Sequence, residues 1–364
     1  MLKYFWRTFL AERVARSVQA RTRSDLDRVV AEAIGRIEQS QPNRDELIVV
    51  IESLFAESRA IQLLSDRIEQ LHQNDSAIYK PVHGISPPIE APYMAYSTCS
   101  AVDMQNPHYV EFCQTAIIPP VFHRKAWEWA FVTHHLLRHR AIGPGKRGLV
   151  FGVGTEPLPS YFSSLGAQIV ATDAPPEVGE SGGWLATNQF VSSVERLWRE
   201  CSIDRETFMQ RVSYETCDMT NIPDHLSGFD FCWSSCCFEH LGSLDAGMEF
   251  VVNSVEKTLR PGGVAVHTTE FNLSSNDETV TEGATVLYRK CDIEGLIQRL
   301  RDRGHVVSDL RIAPDANPLD FYVDTPPYTG PHLKLRLLHY NATSVGLVIQ
   351  RGPVTNELIA ADAP

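Results

Sequence analysis

The sequence predicts an α/β protein built on a doubly wound, mostly parallel sheet, with a helical extension at its N-terminus. Three observations predict it. From about residue 145 to residue 349, strand-like apolar runs alternate with helix-like runs, the pattern of parallel strands joined by crossover helices. The stretch 148–173, GLVFGVGTEPLPSYFSSLGAQIVATD, reads as strand, glycine turn, helix and strand, and it ends in an acid. Residues 1–73 carry apolar side chains at three- and four-residue steps, the spacing of one helix face.

The composition bounds the possibilities. A chain of 364 residues has room for one large α/β domain and a smaller element. A formal net charge of −12 argues against a general nucleic-acid binder, which needs a basic footprint. No apolar run approaches the roughly 20 residues that cross a bilayer, and no secretory signal pattern is present. The eight cysteines form no CxxC pair and have no zinc-finger spacing. They read as free thiols of a cytoplasmic protein.

Within residues 1–73, Leu26, Val29, Val30, Ala33, Ile34 and Ile37 mark one helix, and Ile48, Ile51, Leu54, Phe55 and Ile61 begin another after Pro42-Asn43. An antiparallel pair and a dimerising coiled coil both suit this pattern, and the second implies a homo-oligomer. Residues 1–25 place Leu2, Phe5, Trp6, Phe9 and Leu10 on one face among basic residues. Such a helix can lie peripherally on an anionic membrane, or it can pack on the protein or on a second subunit. The prolines of residues 74–120 predict an extended linker or cap. Residues 121–352 form the main domain, and 353–364 read as a flexible tail.

A helix is expected over Val121–His139, with Trp127, Phe131, Leu136 and Leu137 as its apolar stripe and Gly143-Pro144-Gly145 as its stop. The first strand is Gly148–Phe151. Gly152 and Gly154 allow a tight turn and close approach of a ligand. Pro157 or Pro159 suits the first turn of the next helix. The second strand, Gln168–Thr172, delivers Asp173 to the carboxyl edge, where an acid can accept both hydroxyls of a ribose. A dinucleotide site wants a third glycine where Pro157 stands, and Glu156 would oppose a pyrophosphate. S-adenosylmethionine, with a ribose, an ammonium and a sulfonium but no phosphate, fits better.

Downstream, YETCDMTNIPDHLSGFDFCWSSCCFEHLGS and LRPGGVAVHTTEF resemble the class I, Rossmann-like S-adenosylmethionine-dependent methyltransferases. The motifs are Asp218-Met219 after a third strand, Phe229-Asp230-Phe231 in a fourth, and Leu259-Arg260-Pro261-Gly262-Gly263 before a fifth. A helix over Asp292–Arg303, a strand near Val306–Ile312 and a last, antiparallel strand over Ser344–Gln350 complete the likeness, which covers about 145–352. It implies a seven-stranded sheet and S-adenosylmethionine as cofactor. Gly152, Gly154 and Asp173 would line methionine and ribose, Asp218 would accept the adenine amino hydrogens, and Met219 would pack near the ring. Trp233 and Ser234 would face the transferred methyl. The chain departs from the family at Val150, where an acid is usual, and at Glu156, where a glycine is usual. Glu156 would then supply the carboxylate that faces the cofactor's ammonium.

An alcohol acceptor benefits from a base, and His240, Glu239, His267 and Glu270 are the candidates at the carboxyl edge. His240 comes first, because an unperturbed imidazole titrates near neutrality. Glu270 and the loop Asn272–Asp277 would suit a divalent metal, but no carboxylate constellation supports one, so no residue is assigned to a metal. Cys236-Cys237 read as small residues packing under a cofactor. His123-Arg124-Lys125 and Trp127-Glu128 resemble a cap. The expected activity is methyl transfer to a hydroxyl of a small molecule or a glycan, not to nucleic acid. A non-catalytic scaffold with a degenerate methyltransferase fold is the alternative, and a nicotinamide-dependent oxidoreductase is disfavoured by Pro157.

Overall fold

Seven of the apolar runs assemble into one sheet. The computed structural model describes residues 91–175, 193–200, 202–326, 328 and 330–353. The helical extension, its coiled-coil, oligomeric and membrane-contact expectations, the first part of the linker and nearly all of the tail lie outside the described residues. All described residues belong to one unit, Tyr79–Pro364. Among them, no helix is long and apolar enough to cross a membrane.

The stretch expected to be an extended linker contains two helices, α1 (Ala101–Gln105) and α2 (Pro107–Ala116). Its proline marks a helix start, because Pro107 follows the Asn106 cap at a position whose N–H has no intrahelical partner. Tyr109, Phe112 and Cys113 of α2 are buried. The next helix, α3 (Arg124–Arg138), is capped by His123 and buries Trp127, Phe131 and Leu136, while Leu137 is exposed. Trp127 Nε1 donates to the buried Asp103 at 3.0 Å and so ties α3 to α1.

The sheet then builds in chain order. β1 (Arg147–Phe151), α4 (Leu158–Ser164) and β2 (Gln168–Asp173) form the first unit. They are followed by α5 (Arg205–Arg211), β3 (Val212–Thr216) and β4 (Phe229–Ser235). α6 (Leu244–Asn253) leads into β5 (Leu259–Asn272), which absorbs the expected Leu259–Gly263 turn through a register shift against β4. α7 (Lys290–Asp302), β6 (Val306–Val307, shorter than expected) and β7 (Tyr340–Gln350) complete it.

The strand order is β3-β2-β1-β4-β5-β7-β6, and a short strand, Lys334–Leu337, adds an eighth by pairing with β7. β1 to β5 are parallel, whereas β7 runs antiparallel to both β5 and β6. One core lies between the sheet and α2, α3 and α4 and holds Val150, Phe231 and Trp233. The other lies beneath α6 and α7 and holds Phe151, Phe250 and Leu296. Order reverses at β1, which puts the switch point, where sheets of this kind bind ligands, at the carboxyl ends of β1 and β4.

Candidate active site

At the end of β1 the chain turns through Gly152 (φ 59°) and Gly154 (φ 49°), both in the left-handed region that favours glycine. A Cβ on Gly152 would lie 2.9 Å from Cys237 Sγ, so an alanine there meets both strain and a clash. Asp173, buried at the end of β2, accepts the Gly154 N–H at 3.1 Å through Oδ2 and the Ala174 N–H at 2.9 Å through Oδ1. Each carboxylate oxygen can accept more than one hydrogen bond. The acid thus shapes the turn and remains chemically suited to a ligand's diol.

Glu156 follows the turn and is 5% exposed. Its Oε1 accepts from Trp233 Nε1 at 2.6 Å. Burial pushes its carboxyl up to about 7, against the opposing pull of the Trp233 hydrogen bond. Val150, two residues ahead of Gly152, points into the core and offers no carboxylate.

Beside this turn lies a second, denser cluster. Glu128 of α3 is wholly buried and accepts from Arg124 Nη1 (3.1 Å), Ser344 Oγ (2.5 Å), Lys125 Nζ (2.8 Å) and Thr268 Oγ1 (3.3 Å). Burial resists its ionisation, but Lys125 and Arg124 prevail and hold it at about 2. Arg124 also pairs with Glu270 of β5. Burial nevertheless pushes Glu270 up to about 7. Glu239, wholly buried after β4, accepts from Thr269 Oγ1 at 3.0 Å. Lys125 Nζ donates to the Ser235 carbonyl at 3.1 Å, which sets a cation over the end of β4. A carboxyl that titrates near neutrality in a buried cleft is a suitable proton acceptor.

Strand order, the direction of β7, the paired glycines and the acid ending β2 together decide the fold. It is the class I methyltransferase fold. No protein-family model matches the chain, and no curated protein does. Three solved structures illustrate what it is similar to. One is phosphoethanolamine N-methyltransferase 2 of Haemonchus contortus in complex with S-adenosyl-L-methionine, at 20% identity over 50% of this chain and 39% of that one, TM-score 0.32. The chain thus spans less than half the length of that enzyme. Another is magnesium protoporphyrin IX methyltransferase of Synechocystis with bound SAH, at 11% identity over 63% and 83% of the two chains, TM-score 0.38. The third is the [4+2]-cyclase SpnF, at 16% identity over 59% and 65%, TM-score 0.36. A fold does not by itself name a reaction.

On this methyltransferase fold the expected site residues separate into two groups. Gly152, Gly154, Glu156 and Asp173 gather at the carboxyl ends of β1 and β2. Glu239 and Glu270 gather over β4 and β5. The others lie elsewhere. Asp218 is exposed, and its Oδ1 closes a local turn with the N–H (2.8 Å) and hydroxyl (2.7 Å) of Thr220. Met219 packs into the core on the α6 side rather than onto an open face. Trp233 is wholly buried and stacks on Phe231, so it supports Glu156 and does not face a reacting methyl.

Ser234 and His267 bond each other at 2.8 Å, and the second ring nitrogen of His267 meets Ser254 Oγ at 2.9 Å. Burial pushes that imidazole down to about 3, so it stays neutral as a packed core residue rather than a base. His240 donates Nδ1–H to the Ala284 carbonyl at 2.8 Å, a loop contact that fixes the tautomer with its proton on Nδ1. Arg124, Lys125 and Glu128, expected as part of a cap, and Cys236, expected to pack under a cofactor, instead form one hydrogen-bonded cluster, and Ser344 joins it without having been expected there. One signal existed: Glu128 sits beside Trp127 and three residues before Phe131, a charge on the buried side of a helix.

Proposed function

We propose that this protein transfers a methyl group from S-adenosylmethionine to a hydroxyl of a small molecule or glycan. One observation carries the reading: where a dinucleotide fold would seat a pyrophosphate, the turn after β1 presents the buried carboxyl of Glu156 instead. An acid there repels phosphate and complements an ammonium. When bound, S-adenosylmethionine supplies an activated methyl on a sulfonium. The chain does the rest. Gly152 and Gly154 hold the turn in its left-handed conformation, Asp173 accepts ribose hydroxyls, and Glu156 faces the ammonium. Arg124 and Lys125 hold the acidic cluster in place, and Glu270 takes the proton of the acceptor hydroxyl. Most of the acceleration comes from fixing the nucleophile in line.

Calorimetric titration with S-adenosylmethionine, S-adenosylhomocysteine and NAD tests this. Binding of the first two alone is expected, weakened about 10- to 100-fold in Asp173→Ala, the loss appropriate to hydrogen bonds made by a charged group. If neither adenosyl ligand binds, the proposal fails and a scaffold role replaces it.

A further inference from the structure

We propose that Cys236, Glu239 and Glu270 form a site for a divalent transition-metal ion of the zinc class at the acceptor end of the carboxyl edge. Cys236 Sγ and one carboxylate oxygen from each glutamate lie within 4.8 Å of one another. Zinc binds thiolate at about 2.3 Å and carboxylate at about 2.0–2.2 Å, which puts tetrahedral donors roughly 3.5 Å apart. The present spacing exceeds that by at most about 1.3 Å, which side-chain rotation on binding would have to close.

A second, independent observation points to a ligand at this place. Glu239 Oε1 and Glu270 Oε2 are buried and have no hydrogen-bond partner among the described residues. Their residues are 0% and 4% exposed. The sister oxygens are held, one by Thr269 Oγ1 and the other by Arg124. Each carboxylate is therefore oriented through one oxygen and left open through the other, the arrangement that outer-shell partners impose on metal ligands.

Charge supports the same site. Glu128, Glu156, Glu239 and Glu270 are all buried, and among the described residues Arg124 and Lys125 are the cations bonded to this group. Glu128 engages both. With all four carboxyls ionised, two negative charges would stand unmatched, the charge a divalent cation would offset. The donor set selects its class: a thiolate with two carboxylates suits zinc-like ions, whereas magnesium and calcium prefer oxygen alone. Arg124 Nη1, 3.4 Å from Cys236 Sγ, becomes a donor to the thiolate. Binding releases the Cys236 thiol proton, now directed at Glu128 Oε1 over 3.0 Å, to solvent. Three protein ligands leave a fourth position open. Its use to polarise an acceptor hydroxyl, which would replace Glu270 as proton acceptor in the metal-bound form, rests on the methyl-transfer reading, whereas the metal site itself does not.

The test uses the full chain, stripped with a chelator and titrated with zinc chloride, and separately with cobalt(II), while S-adenosylhomocysteine affinity is measured in parallel. One zinc per chain is expected, with a sulfur-to-cobalt charge-transfer absorption in the cobalt form. Glu239→Gln and Cys236→Ser should weaken zinc at least about 100-fold, since loss of an outer-shell partner alone costs 10- to 100-fold. Absence of stoichiometric metal, absence of the charge-transfer band in the unmodified protein, or unchanged zinc affinity in both variants would overturn the site. The band needs no variant, so a substitution that fails to fold does not blunt the test. Zinc binding without S-adenosylhomocysteine binding would support the metal site while rejecting the cofactor reading.

Discussion

Glu156 is a carboxyl that burial keeps close to its midpoint at neutral pH, which makes it the most informative single side chain of the site. Its value rises from an ordinary 4.5 to about 7 in the folded chain. The folded state therefore holds that proton more tightly than the unfolded state. The resulting stabilisation is fully present below about 4.5 and is lost as pH climbs to about 7. Ligand binding has the opposite sign, because only the ionised carboxylate attracts an ammonium. S-adenosylhomocysteine affinity should rise as pH increases through about 7, and a calorimetric series from pH 6 to 8 should find that slope flattened in Glu156→Gln. His267 is a contrasting case. Its ring bridges Ser234 and Ser254 inside the core, so His267→Ala leaves a cavity and takes the imidazole partner from Ser234, while the Ser254 hydroxyl keeps the Val251 carbonyl. Urea unfolding should show a loss of about 2–4 kcal/mol, with S-adenosylhomocysteine affinity essentially intact.

At the scale of elements, β5 explains why neighbouring residues in one motif have different fates. Side chains alternate across a strand, so His267 and Thr269 face α6 while Thr268 and Glu270 face α3. One histidine goes to the core and one glutamate to the site. α3 reaches that site because it lies against β7 at a glycine. A Cβ on Gly346 would sit 2.2 Å from Phe131 Cε1. Gly346→Ala should lower stability by about 1–3 kcal/mol, and Phe131→Leu should restore part of it. Thermal melts of the two single variants and the double variant give the coupling. If the single alanine melts at the wild-type temperature, α3 is not seated on β7 as described.

Across the whole molecule, the acidic cluster joins segments far apart in sequence: α3, the turn after β4, β5 and β7. Glu128 binds Arg124 and Lys125 of its own helix and Ser344 of β7, and Arg124 passes the connection to Glu270. Breaking such a buried network leaves uncompensated charge, so Glu128→Ala should cost about 3–5 kcal/mol in chemical denaturation. The exposed pair Arg299 and Glu249, 42% and 53% exposed, provides the comparison. Arg299→Ala should change stability by less than about 1 kcal/mol. Comparable losses at both positions would mean that the cluster is solvated and not the dry network described.

Sequence alone determined the sheet and the turn that follows β1. Hydrophobic periodicity is local, and so are the demands of a tight turn at Gly152-Val153-Gly154 and of an acid ending a strand at Asp173, which is why these could be read from short windows. Even there, Pro107 misled, because a proline opens a helix as readily as it interrupts one. The cluster over β4 and β5 was decided only by tertiary structure. Whether His267 or Glu270 faces the cleft depends on strand register. Whether Glu128 is a surface charge or a buried one depends on which face of α3 meets the sheet. Cys236 joins Glu239 and Glu270 only once β4 and β5 are paired. The Glu128 pairs with Lys125 and Arg124 are local, but the burial that gives them their role comes from contacts between residues 30 to 220 positions apart, which no local pattern encodes.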